Sequence, residues 1–430
     1  MAGLLHHLSE LWPRLRQSAA HLTSGGSWAE SFPKSTQHNL RWFWFDGLFA
    51  AASENIVLTY LTLFVLALGA TRAQIGAMSA LASLSAALVL LPGAALAERS
   101  GRRKLIVVIS GGWLARLMVL GLVFVPVLFG DSGAIYAAIG LSVARDLFNN
   151  LPLPAWVSLT ADIVPLSWRG RYFASRNIVM GIAGMVIILL GGELITRMGK
   201  PIGYQLALGI AFILGIVSTY SFSRIEEPSA SSPQTKTALS PKALYRDLTS
   251  QARFFAFCST AALWNLSLNI AGPFFTVYMV QNLKATPTMV GFFSIVTSIA
   301  ALPALRFFGT LADRWGPRKV QMITGLLIPI LPFSWIFATQ SWHVIPINAA
   351  SGFLWSGFSL ASFNNLLAFT PEEQRARFSA IYQLIVTVSL AAGAALGSQI
   401  VTHWGFTGVF LGSAIGRFIA AVLFARFVPK

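Results

Sequence analysis

Twelve apolar runs of 19 to 28 residues divide this chain, and short bursts of Lys and Arg separate them. A bilayer core about 30 Å thick takes about 20 residues of helix to cross, so each run is long enough to be a span. The runs cover residues 42–68, 74–97, 105–129, 133–157, 172–196, 202–223, 254–281, 287–312, 320–338, 343–369, 377–403 and 406–428. None alternates with a two-residue period, which argues against a transmembrane barrel. Charged residues make up 11% of the 430 positions, too few to cover several soluble domains. The net charge of +16 is scattered between spans instead of forming one basic face, so nucleic acid is not an expected partner. A single cysteine, Cys258, excludes an internal disulfide and a cysteine metal cluster; neither a cofactor nor a metal is expected.

Basic residues set the orientation. Of the 31 Lys and Arg, 23 fall in segments on the side shared by both termini, while Arg72, Arg197, Lys200 and Lys284 fall on the other. Arg116, Arg145, Arg306 and Arg417 lie deeper within spans, while Arg176, Arg377 and Arg426, near span ends, are counted among the 23. Basic loops resist translocation, so both termini are expected in the cytoplasm. Within residues 1–40, Leu4, Leu8, Leu11, Trp12 and Leu15 recur at helical spacing beside His7, Arg14 and Arg16, a pattern for an interfacial amphipathic helix; a frayed terminus fits equally well. No signal-peptide pattern precedes the first span. Residues 224–252, rich in Ser, Pro and charge, read as a cytoplasmic linker between halves at 41–223 and 253–430.

The halves share an internal repeat. Leu68 to Lys104 lies on Leu283 to Lys319 at a constant offset of 215 without a gap. Leu68, Ala70, Thr71 and Gly76 match Leu283, Ala285, Thr286 and Gly291. Both copies end in Leu-Ala-acid-Arg-x-Gly-x-Arg-Lys, with Glu98, Arg99, Gly101 and Arg103 against Asp313, Arg314, Gly316 and Arg318. A second echo matches Pro165, Arg169, Arg171, Tyr172 and Ala174 to Pro371, Arg375, Arg377, Phe378 and Ala380. An even number of spans per half keeps the copies parallel in the membrane. The expected fold is therefore an all-α membrane protein with twelve transmembrane helices in two pseudo-symmetric six-helix bundles, an arrangement suited to alternating access.

On these motifs the chain resembles the major facilitator superfamily, whose signature G-x-L-A-D-R-x-G-R-R-x-x is close to GTLADRWGPRKV at Gly309 to Val320. The resemblance covers roughly residues 41–428 and departs mainly at Pro317. It implies a cytoplasmic gate that stabilises the outward-open state, with Glu98, Arg99, Arg103, Asp313, Arg314 and Arg318 as candidates and Arg169 and Arg375 beside them. It also implies the bacterial inner membrane as the location. The family's helix-4 pattern fits loosely: counting back from Pro154 reaches Ser142, with Arg145 one turn later. The antiporter pattern of helix 5 calls for Pro, whereas Gly181, Gly184, Gly191 and Gly192 occur without one, which argues against a drug/proton antiporter.

Ionisable groups at bilayer depth cost at least ~2.5 kcal/mol on insertion scales and mark function by default. Glu54, near the middle of the first span, is the leading candidate for proton coupling, followed by Asp46 and Asp146. A permanent ion pair of Glu54 with Arg116 or Arg145 is the competing reading, and Asp146 is expected to pair with a neighbouring helix. Candidates for a solute cavity are Asn55, Arg116, Arg145, Asn149, Asn150 and Arg417, with Trp264, Asn265, Asn269, Trp355, Asn364 and Asn365 from spans 7 and 10. Interhelical bonding is the alternative for each Asn. Arg306 lies close enough to the cytoplasmic end to snorkel.

The function expected is secondary transport of a small solute, with protons as a candidate coupling ion, lipids as surroundings and a monomer as the unit. The excess of span Arg tilts the solute toward an anionic or polar molecule. A non-transporting scaffold for lipid or pigment assembly is the alternative. No H-E-x-x-H, G-x-S-x-G or phosphate-binding Gly loop is present, so neither an enzyme nor an ATP-driven pump is expected.

Overall fold

The computed structural model describes residues 23, 27–227, 251–370 and 375–428. Among these it contains helices and no strand. Twelve spans alternate in direction: α1 (Lys34–Ala67), α2 (Arg72–Ser100), α3 (Arg103–Leu128), α4 (Asp131–Asn150 continued by Leu153–Ile163), α5 (Arg169–Met198) and α6 (Ile202–Ser223) form one bundle. The other holds α7 (Ala252–Ala271 continued by Phe274–Gln281), α8 (Pro287–Trp315), α9 (Pro317–Leu327 continued by Ile330–Trp335) and α10 (Val344–Phe369). Its last two spans, α11 (375–404) and α12 (406–427), meet at Gly405, whose left-handed φ of 66° turns the chain back.

By uninterrupted length and hydropathy nine of these helices qualify as spans among the described residues. The difference from twelve has local causes. Pro152 interrupts α4 and Pro329 interrupts α9, each ring removing a backbone donor, and α11 and α12, joined by the single-residue turn at Gly405, count together as one.

The repeated motif works as a pair of start and stop signals. Thr71 caps α2 by accepting from the Gln74 backbone N–H, and its repeat Thr286 caps α8 by accepting from that of Met289. Gly101 and Gly316, with φ of 61° and 82°, end the same two helices. The second echo also has a packing counterpart: Tyr172 stacks on Phe43 of α1, and Phe378 packs edge-on against Phe254 of α7.

The bundles meet at the end opposite the chain termini. A Cβ at Gly76 of α2 would lie 2.7 Å from Ser398 Cβ on α11, and one at Gly291 of α8 would lie 2.9 Å from Ile188 Cγ2 on α5. The repeated glycine thus lets a helix of each bundle approach the other. Ser398 donates to Ala73 O (2.9 Å), Arg72 donates to Gln281 Oε1 (2.9 Å), and the Thr196 and Thr288 hydroxyls share a bond of 2.8 Å. Tyr60 of α1 donates to Ile188 O, with its hydroxyl wedged against Gly192 and Gly291. At the other end, where most Lys and Arg lie, the same helix faces are bare. Ile178 is 63% and Leu302 61% exposed, and a methyl at Gly170, Gly181 or Gly309 would meet nothing among the described residues.

Candidate functional site

Two polar features lie at membrane depth, one in each bundle. In the first bundle Glu54 of α1 faces the guanidinium groups of α3 and α4. Arg145 Nη2 bonds Glu54 Oε1, Arg116 Nη1 stands 3.5 Å from Oε2, and Arg145 Nη1 donates to Asp146 at 2.7 Å. Two cations thus meet two carboxylates. The Arg side chains are almost fully covered, at 8% and 3% exposed, whereas Glu54 and Asp146 keep 25% and 28% of theirs accessible. A short π-helical stretch in α3, Val107–Leu114, runs through Gly111 and Gly112 and ends just before Arg116. Space for Arg116 comes from Gly215 of α6, where a Cβ would sit 2.5 Å from Arg116 Cδ.

A second buried pair lies nearer the termini. Asp46 accepts from Arg176 of α5 (3.3 Å) and from Ser218 of α6 (2.8 Å), and the same guanidinium lies 4.1 Å from the Phe43 ring centre. Arg176 was counted above with the cytoplasmic loop. The structure corrects this: its side chain enters the bundle beside Gly47, which has no side chain to block it. A second correction concerns Asp146, whose partner is Arg145 of its own helix and not a residue of another helix.

The second bundle encloses a cavity of about 480 Å³ between α7, α9, α10, α11 and α12. Trp264, stacked on Phe358 at 4.4 Å, and Trp355 line it farther from the start of α7; Phe257, stacked on Tyr382, lines it nearer that start. Asn265, Gln321, Gln383, Ser359 and Ser362 supply amides and hydroxyls. No charged side chain lines it among the described residues.

Of the cavity candidates chosen from sequence, Trp264, Asn265 and Trp355 line this space. Three others are bonded elsewhere and do not line it. Asn269 donates to Leu390 O at 2.8 Å and joins α7 to α11; Asn365 donates to Gln321 Oε1 at 2.7 Å and joins α10 to α9. Arg417 is 2% exposed and outside the lining, one Nη hydrogen-bonded to Leu268 O at 3.3 Å. Asn55 and Asn150 cap carbonyls on their own helices, while Asn149 and Asn364 are half-buried. Gln321, Gln383 and Tyr382 were missed. Each lies within one or two turns of its span's polar end, where a polar residue carries no signal of its own.

The gate candidates bond within their own bundles. Arg103 donates to Asp162 (2.6 Å) and Ser158 (2.9 Å) on α4 and lies 3.3 Å from Glu227 after α6. Its repeat Arg318 donates to Val428 O and Ala425 O at the end of α12. Arg169 donates to Ala161 O, and Arg99, Asp313 and Arg314 are exposed. The side chains of Glu98 and Arg375 lie outside the described residues, as do most of segment 1–40 and of the linker.

Known proteins share this architecture. A multidrug resistance protein MdtG from Proteus mirabilis is 25% identical over 412 residues, covering 92% of this chain and 95% of that protein. A multi-drug resistance efflux pump PmrA homolog from Lactococcus lactis is 21% identical over 390 residues, 88% of this chain and 92% of its own. These relatives are transporters and not enzymes. The solved nucleoside transporter NupG superposes with a TM-score of 0.68 at 13% identity, over 90% of this chain and 99% of its own. The family model described as Major Facilitator Superfamily matches residues 43–270 and 265–430. With the parallel repeat, the twelve spans and this match over nearly the whole length, the chain belongs to the major facilitator superfamily.

Proposed function

We propose that this protein is a secondary transporter that exports a small solute from the cytoplasm by alternating access, with the Glu54 cluster coupling export to proton entry; this sets the mid-span carboxylate above the missing Pro of span 5, which argued against a drug/proton antiporter. Both termini then face the cytoplasm, in keeping with the distribution of Lys and Arg. The observation that carries the reading is Glu54 itself: an accessible carboxylate in mid-span, held by Arg145 and Arg116 from two other helices. A charge at that depth would be costly against lipid, so its accessible edge belongs to the water-filled space between the bundles. Protonation removes the negative partner shared by the two guanidiniums and loosens α1 from α3 and α4, which is how occupancy by a proton changes the balance between bundle positions. The relatives named as efflux proteins support the outward direction. A scaffold for lipid or pigment has no use for such a cluster.

The test is purified protein in proteoliposomes with a pH-sensitive dye inside, after a thermal-shift screen of sugars, organic anions, amino acids and drugs has supplied a solute. Wild type should move protons only when that solute moves. Glu54→Gln should abolish gradient-driven movement while solute exchange at equal pH survives. Proton-coupled movement that persists in Glu54→Gln would reject the coupling role.

A further inference from the structure

The two polar features divide the chemistry unequally, and the division says what the solute is. The cluster of paired charges lies in the first bundle, whereas the cavity of about 480 Å³ is lined by residues of the second bundle, none of them charged among the described residues, with Arg417 buried outside the lining. An ion placed there would leave water without meeting a counter-ion, a penalty that neutral molecules escape. The walls favour flat rings. Trp264 lies face to face with Phe358, Trp355 stands 6.1 Å from Trp264 at 65°, and Tyr382 stacks on Phe257. Stacked and edge-on aromatic faces of this kind bind planar π systems.

The polar groups on the wall have their directions set by bonds behind them. Asn365 donates to Gln321 Oε1, which leaves the Gln321 amide N–H pair as the donor at the cavity. Asn265 donates to Ala261 O, which leaves its Oδ1 as the acceptor. The Ser359 and Ser362 hydroxyls and the Gln383 amide on the same wall can each donate or accept. Donors and acceptors are therefore both present at the wall.

We infer that the second-bundle cavity is a binding site for an uncharged, planar aromatic solute that carries a carbonyl acceptor and an N–H or O–H donor. This deepens the transport reading by naming the solute class, and it departs from the anionic preference suggested by counting span arginines. Arg116 and Arg145 are engaged by Glu54, and Arg417, with one Nη on Leu268 O, lies outside the cavity lining.

Acridone, a neutral tricyclic with one C=O and one N–H, is the probe, compared with 9-aminoacridine as the cation and acridine-9-carboxylate as the anion. Binding is read by the probe's own fluorescence anisotropy with purified full-length protein in neutral-lipid nanodiscs. Acridone should bind at least about ten-fold more tightly than either charged analogue, and Trp355→Ala should weaken it about ten-fold. Gln321→Glu, close in shape, should lose acridone and gain 9-aminoacridine. Glu54→Gln should bind acridone as wild type does. Equal affinity for the three probes, no binding of acridone, or unchanged selectivity in Gln321→Glu overturns the inference. The outcomes are separable from the transport reading. Selective acridone binding without gradient-driven transport of any solute would sink transport and leave the site. Coupled transport of acridone that ignores both Trp355→Ala and Gln321→Glu would sink the site and leave transport.

Discussion

A methyl group at Gly215 would lie 2.5 Å from Arg116 Cδ, and one at Gly47 would lie 2.5 Å from Arg176 Nε. These two hydrogens in place of side chains are what allow guanidinium groups into the first bundle, so Gly215→Ala and Gly47→Ala should each destabilise by about 1–3 kcal/mol through forced displacement. The measurement is the apparent melting temperature in detergent, with Gly181→Ala, which meets nothing in this state, as a control that should stay near wild type. Asp46 offers a sharper contrast. Replacing it by Ala leaves Arg176 buried beside Ser218 without an anion, a loss of about 3–5 kcal/mol for a buried pair. Asp46→Asn keeps an acceptor oxygen for Arg176 and can donate its amide N–H to the Ser218 hydroxyl, so it should lose less. If the two substitutions melt alike, the Asp46 carboxylate is not what holds Arg176.

Among the elements, α5 and α8 carry the most information about motion. They run antiparallel and touch at Ile188 and Gly291 near the end away from the termini. About five turns farther along each helix, on the same face, lie Gly170 and Gly309, both open here. Bringing the other ends together in the same register makes these two glycines meet and carries Asp313 toward the Arg169 and Arg171 end of α5. Gly170→Cys with Gly309→Cys should therefore cross-link under oxidation only when the termini end is shut, and a cross-linked fraction should lose exchange that reduction restores. Asp313→Asn should lower transport without lowering membrane abundance, because it weakens the shut state and not the fold. Thr71, Thr286, Gly101 and Gly316 were read only as matched positions of the repeat; that they cap and end these helices comes from the structure. Arg176 was not legible. Its span begins only a few residues earlier, and its partners Asp46 and Ser218 are distant in sequence, so loop counting and local pattern both placed it outside.

For the molecule as a whole, the spans and the duplicated halves could be read because lipid forces long apolar helices and a repeat needs only identity at fixed spacing. The cavity could not, since its existence depends on how five helices rotate about their axes, which single-sequence patterns do not specify. The closed end rests on contacts that also have to part: Arg72 with Gln281, Ser398 with Ala73, and Thr196 with Thr288. Thr288→Val and Arg72→Gln together should raise the labelling of a cysteine placed at Tyr60's level from the external side, relative to wild type, without loss of folded protein. The aromatic chamber is built from one bundle and the carboxylate cluster from the other. Under the roles proposed for them, selectivity and energy source would be separately heritable traits: a lineage would exchange one cargo for another by altering Trp355, Gln321 or Asn265 and leave Glu54 untouched, and hybrids that join this second half to another relative's first half should inherit appetite from one parent and drive from the other.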